Sequence, residues 1–203
     1  QNDFLISPAL QKKTMSLASV LQFLGAKKLQ ISNISSGRIE RLTQYIDLNT
    51  WKQSVSTRTN YFVCLKKVRA ISNDYLSLLS SNKRRQIKKS MQLYSEAEPI
   101  TVELAENQKS ALSFFDCMVE LHQKEWLKRR GEGAFSNAFI LDFHKTLIQN
   151  HYDPSLMRLY RIYSDRGNIG FVYGFVSDND FLYYQSGFHY EKDNRYKPGL
   201  TCH

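Results

Sequence analysis

Nowhere in the 203-residue chain do apolar residues run uninterrupted for the roughly 18 positions that a membrane-spanning helix needs. The opening "QNDFLISPAL" lacks the basic-then-apolar layout of a secretory leader, so the chain reads as soluble, although Gln1 is not an initiator and a lost leader is compatible with it. Its three cysteines, Cys64, Cys117 and Cys202, are too widely spaced for a disulfide framework or a zinc-ligand pair, and a reducing, cytoplasmic setting is the expectation. Four chemical signatures are missing: GxxxxGKS/T for nucleotide phosphates, GxGxxG after a strand, HExxH, and the GxSxG nucleophile elbow. The histidines at 122, 144, 151, 189 and 203 show no metal-ligand spacing. These gaps argue against a metalloenzyme or a nucleotide triphosphatase.

What is present is core material and positive charge. Hydrophobic residues make up 42% and aromatics 13%, a globular composition. A net charge of +9 favours polyanionic partners: nucleic acid, an anionic membrane face or a phosphorylated cofactor.

Periodicity predicts an α/β chain. "ALQKKTMSLASVLQFLGAKKLQISNI" reads as a helix closing at Gly25 and leading into a short strand, "SSGRIERLTQYIDLN" as a short helix or loop, and "NYFVCLKKV" as a strand around Tyr61 to Leu65. A helix over 74–95, capped by Asn73 or Asp74, carries an apolar stripe and five cations in the seven residues 83–89. Such a run is either a solvated face or an anion-facing one. After the short strand "ITVELAE", the longest clean helix places Leu112, Phe115, Val119, His122 and Trp126 on one stripe and stops at Gly131 and Gly133. Core packing is expected of Trp126. His122 is either a hydrogen-bonded core residue or a proton carrier. A further helix, capped by Ser136 or Asn137, precedes Pro154.

The period then changes to two. "LMRLYRIY", "NIGFVYGFV" and "FLYYQSGF", joined by turn-forming "SDRGN" and "SDND", predict an antiparallel meander. In its middle strand Ile169, Phe171, Tyr173 and Phe175 share one face; Gly170, Val172, Gly174 and Val176 share the other. Beyond Gly187 a loop with Lys192, Arg195 and Lys197 runs into Pro198-Gly199. "KPGLTCH" reads as a first helical turn whose free N–H groups suit an anion, or as an ordinary helix start.

The order "LSSNKRRQIKKSMQLY", then "LHQKEWLKRRGEGAF", then "NIGFVYGFVSDNDFLYYQSGFHYEKDNRYKPG" resembles the CelD-like acetyltransferases of polysaccharide biosynthesis, a GNAT-superfamily group related to the Fem aminoacyltransferases. The match spans roughly residues 70 to 203, and residues 1 to 69 resemble the end of a first of two tandem halves. The resemblance implies an α/β (α+β) fold with a mixed, mostly antiparallel sheet flanked by helices. It divides the chain into 1–96, the end of a first half plus a bridging helix, and 97–203, a truncated second half.

It also implies acyl transfer from acetyl-CoA or another acyl-CoA to an amine or hydroxyl of a small-molecule or glycan-precursor acceptor. The strand from Tyr183 to Phe188, with Gly187, would hold the pantetheine, and Arg195, Tyr196, Pro198, Gly199 and Leu200 the pyrophosphate. The family's loop is usually richer in glycine, and its fold continues beyond this helix, so the chain is expected to be a fragment. Acyl transfer needs a nucleophile about 3 to 3.5 Å from the thioester carbon, a donor at the carbonyl oxygen and a base. By residue type His122 and Glu125 are base candidates, and Tyr184 or Ser186 donors; each also has an ordinary structural reading.

Two alternatives stand beside this: a Fem-like aminoacyltransferase whose basic helix at 83–89 faces tRNA, and a non-catalytic nucleic-acid-binding or scaffolding module. Against the latter, the cations are not interleaved with aromatics as a single-strand groove requires.

Overall fold

The computed structural model describes residues 61–177 and 179–203, with 25, 27, 28, 52–57 and 59; the elements expected between residues 9 and 50 lie outside the described residues. The chain divides into two compact units, Gln1–Val63 and Cys64–His203, and the second carries the elements that follow.

Helix α1 spans Leu65–Ala70, where a strand was expected from Tyr61 to Leu65. The β-branched and aromatic run fails as a strand: Tyr61, Phe62 and Val63 are exposed, and among the described residues no strand pairs with them. The single helix expected over 74–95 is two pieces. Asp74 caps a short 3₁₀ turn, Tyr75–Leu78, and Ser80 caps helix α2, Ser81–Tyr94, by accepting from the Lys83 amide. The extended backbone at Leu79 separates them.

Strand β1, Thr101–Leu104, precedes helix α3, Gln108–Lys128, whose start is fixed by a reciprocal box between Asn107 and Ser110. The helix ends at Lys128 with Arg129 as its cap, and the left-handed position beyond it is filled by Arg130 rather than by a glycine. Arg130 takes the left-handed conformation at φ 56°, and the Gly131 amide reaches back to the Trp126 carbonyl. Trp126 is thereby left 40% exposed at the helix end, with its ring over Gly131, instead of joining the core. Helix α4, Ala138–His151, is capped by Asn137, as expected.

The three expected meander strands are β2, Met157–Ser164, β3, Gly167–Ser177, and β4, Asp180–Phe188. With β1 they form one antiparallel sheet in the order β1-β2-β3-β4. Among the described residues β4 is an edge strand. The architecture is a GNAT-like one: a four-stranded antiparallel sheet with flanking helices.

One face packs on α3 and α4 through Phe114, Phe115, Met118, Ile148, Leu159, Phe171 and Tyr173. The other packs around Tyr94, Ile162, Ile169 and Val172, with Tyr196 and Cys202 against them. Ile169 is on the second face, not with Phe171 as strict alternation requires. Ile162 pairs with Gly170 and Tyr163 with Asn168, so Ile169 is the extra residue of a bulge that turns it over.

The last helix, α5, spans Pro198–Cys202 with Pro198 at its start. α2, expected to bridge two halves, makes its described contacts in the second unit. The fully buried Ser90 hydroxyl accepts from the Lys197 amide at 2.8 Å and bonds the Thr201 hydroxyl at 2.8 Å.

Candidate active site along β4

A second bulge shapes β4. Tyr173 pairs with Gln185 and Gly174 with Tyr183, so Tyr184 is the extra residue between them. Simple alternation would set Tyr184 opposite Gly174 and turn it to the α2/α5 side. The bulge instead brings its ring against Tyr173, Phe175 and His144 on the α3/α4 side. Gly174 lets this happen: a Cβ there would lie 2.6 Å from the Leu182 carbonyl and from the Phe181 ring.

His144, on α4 and only 4% exposed, links two strands. Its Nδ1 lies 3.2 Å from the Tyr173 hydroxyl and its Nε2 2.8 Å from the Tyr184 hydroxyl. The Tyr173 hydroxyl in turn donates to Met157 Sδ at 3.7 Å. Burial holds His144 below the ordinary imidazole range and raises both phenols, with the Tyr184 phenol adding to the rise at Tyr173. Tyr184 itself is 39% exposed, so its side chain connects this buried network to the open edge of the sheet.

His122 is held differently. Its Nδ1–H donates at 3.1 Å to the Ser186 carbonyl; since a carbonyl only accepts, that bond fixes the proton on Nδ1. Nε2 is buried without a partner, as is Gln123 Oε1, and the backbone of Gly133 lies against both side chains. Burial lowers the His122 pKa, and the Ser186 bond opposes that shift in part. Phe135 stands between the histidines, its ring centroid 5.4 Å from His122 and 6.1 Å from His144.

The other expected site residues are dispersed around the strand. The Glu125 carboxylate is engaged by Arg129 at 2.9 Å and Lys128 at 3.9 Å. The Ser186 hydroxyl pairs with the Tyr183 hydroxyl at 2.6 Å on the far face, while its amide donates to Gln185 Oε1 at 3.2 Å. Gly187 lies under α3, where any side chain would strike the Met118 carbonyl. Phe188 and Tyr196 pack into the second core cluster, Tyr196 edge-on to Tyr94 at 4.8 Å.

Arg195 is paired with Asp193 at 2.6 Å, which raises the guanidinium and lowers the carboxyl. Pro198 is buried, and Gly199 and Leu200 form the first turn of α5, where N–H groups have no intrahelical partner. Cys202, whose thiol burial pushes up to about 12, is poorly suited to act as a nucleophile. All three cysteines are free.

Through Ser90 the α5 start is stitched to α2, whose Arg84, Arg85, Lys88 and Lys89 line a shallow groove. Among the described residues none of these four cations forms an ion pair, and Lys89 is near enough to Asp193 to lower its pKa. Also among the described residues, no group of three His, Cys, Asp or Glu side chains is placed to hold a metal, and no helix is long and apolar enough to cross a membrane.

His144 is the residue that composition and spacing passed over. Its signal was present: Ile140 and Ile148, four residues to either side, put it on the buried stripe of α4, as His122 is on that of α3.

An antiparallel sheet with two helices inserted after its first strand, and a short helix after its fourth, is a GNAT-like α/β arrangement. Residues 81–203 match the family model described as an acetyltransferase (GNAT) domain, and the chain belongs to that family. Its members are acyltransferases that generally use acyl-CoA. No curated protein matched the chain.

Proposed function

We propose that β4 and the segment through Leu200 form the donor side of a site that moves an acyl group, acetyl in the simplest case, from a CoA thioester to an amine or hydroxyl. The acceptor on this reading is a small molecule or glycan precursor, and the subgroup is the CelD-like one of surface polysaccharide biosynthesis, with the chain holding parts of two tandem GNAT-like halves. The observation that carries it is the bulged edge strand β4, open on its outer side among the described residues and followed, after the loop 189–197, by the α5 start.

The residues fit an acyl-CoA in two respects. Gly187 keeps β4 tight under α3, and the Gly199 and Leu200 amides are first-turn donors that follow Lys197 at the helix start. Arg195 contributes to the phosphates only after leaving Asp193. On this reading the donor supplies the activated acyl carbon, Ser186 and Gly187 align it, and His122 holds β4 against α3 through the Ser186 carbonyl. Glu125, tied to Arg129, acts from the same helix end as a bracing residue. Calorimetry of the full-length protein with acetyl-CoA tests the proposal. Saturable binding is expected, and no heat at millimolar acetyl-CoA overturns it.

The unpaired cations of α2 favour a second reading, a Fem-like aminoacyltransferase with tRNA on that face. Charge reversal at Lys88 and Lys89 then abolishes tRNA binding while acetyl-CoA binding persists. Tight tRNA binding that falls steeply with salt supports it, and salt-insensitive binding does not.

A further inference from the structure

We propose that the acceptor's proton leaves through the Tyr184 hydroxyl to His144 Nε2, which makes Tyr184 a catalytic residue and His144 the residue that positions and empties it. This rests on the reading that the thioester lies along β4.

With the Tyr173 hydroxyl donating to Met157 Sδ, the proton inventory of the network has one solution. Met157 Sδ only accepts, so the single proton of the Tyr173 hydroxyl is spent on it. The Tyr173 oxygen must therefore accept from His144 Nδ1–H at 3.2 Å. A neutral imidazole with a proton on Nδ1 bears a lone pair on Nε2, and Tyr184 O–H donates to it at 2.8 Å. Within this network the lone pairs of the Tyr184 oxygen are then what is left to meet an incoming N–H or O–H, and Tyr184 is its one exposed side chain, Tyr173, His144 and Met157 being buried. His122 has no such outlet: its proton is fixed on a carbonyl and its second nitrogen is sealed.

The step balances. The acceptor's nitrogen or oxygen bonds to the thioester carbonyl carbon, its proton passes to the Tyr184 oxygen, and the phenol's own proton passes to Nε2. The C–S bond breaks, and the departing sulfur takes a proton back along the same path, leaving acylated acceptor, CoA thiol, a neutral imidazole and a phenol. Both hydrogen bonds of His144 survive in the imidazolium, since Tyr173 still accepts from Nδ1 and the Tyr184 oxygen now accepts from Nε2.

The titratable groups facing His144 are the Tyr173 phenol from β3 and the Tyr184 phenol from β4; its remaining ring neighbours are Phe115 of α3, Phe135, and Phe143 of α4 itself. No charged side chain contributes to its pKa, and burial alone keeps it neutral through physiological pH. The acid limb of the rate therefore falls below the usual imidazole value.

The test uses the full-length protein, acetyl-CoA as donor and hydroxylamine as nucleophile, with CoA thiol release as the readout. In Tyr184→Phe and His144→Gln, kcat is expected to fall about 100-fold with KM for acetyl-CoA within about 2-fold, and the acid limb to disappear. Ring ¹⁵N signals of His144 are expected to show protonated Nδ1 and bare Nε2, with Nε2 moving in Tyr184→Phe. If His144→Gln does not fold, Tyr184→Phe decides, because it removes one oxygen from a partly exposed ring. Wild type that turns over while the variants keep their rate overturns the relay and leaves the acyltransferase reading intact. Wild type that binds no acetyl-CoA overturns both. If it binds without releasing thiol, the nitrogen signals decide: a proton on Nε2, or no change in Tyr184→Phe, sinks the relay.

Discussion

His122 and His144 lie on neighbouring helices over the same sheet face, both buried, both held neutral by burial, and separated by the single ring of Phe135. They differ in what they touch. One donates to a backbone carbonyl, which cannot titrate; the other bridges two phenols, one of which reaches solvent. A histidine's role is thus set by its partner's chemistry more than by its own burial. The first is built to hold β4 in place, the second to exchange a proton with whatever approaches it.

Removing the shared wall is expected to have the largest effect. Phe135→Ala deletes a buried ring that packs on both histidines and on Phe115, and should cost about 3–5 kcal/mol in urea unfolding. If both histidines' ring signals shift together, they belong to one packed unit; if only one moves, the two sites are independent.

Tyr173→Phe comes next. It strands the buried Nδ1–H of His144 and should destabilise by about 1–3 kcal/mol, with the tautomer at His144 released while that at His122 stays fixed. An unchanged His144 tautomer would break the contrast.

Gly187→Ala acts on the other histidine. The new methyl pushes β4 from the Met118 carbonyl, lengthens the His122–Ser186 bond, and should cost about 1–3 kcal/mol while leaving the His144–Tyr184 contact in place. Stability measurements paired with the two histidines' nitrogen shifts would check this.

The smallest expected effect is the pH dependence of stability. Both imidazoles have folded pKa values below the unfolded 6.5, so the unfolded chain binds protons first as pH falls. Stability is then full above 6.5 and declines as pH drops from 6.5 toward the lowered folded values. Denaturation midpoints between pH 7.5 and 5 should show that decline, and His144→Gln should flatten part of it.

Helices α3 and α4, the three meander strands and the Asn137 cap were legible because each is written in local periodicity or in a side chain bonding a nearby amide. Ser186, Gly187 and the α5 start were legible as a stretch, though not as contacts. The strand expected near Tyr61 failed because β-propensity needs a partner surface, and Tyr61, Phe62 and Val63 are exposed. Trp126 was misjudged because the helix ends within a turn of it, and a left-handed Arg130 swings the chain away.

By itself the sequence determined the alternation of elements, the basic face of α2 and the place of His122 on a buried stripe, since all follow from residue spacing on a helix or strand. Only the tertiary structure decided which residues meet. The bulges at Ile169 and Tyr184 each reverse a side chain, and a bulge depends on how two strands crowd each other across the sheet, information that no single strand contains. Without the second bulge Tyr184 would face α5, and His144 would be an ordinary buried imidazole.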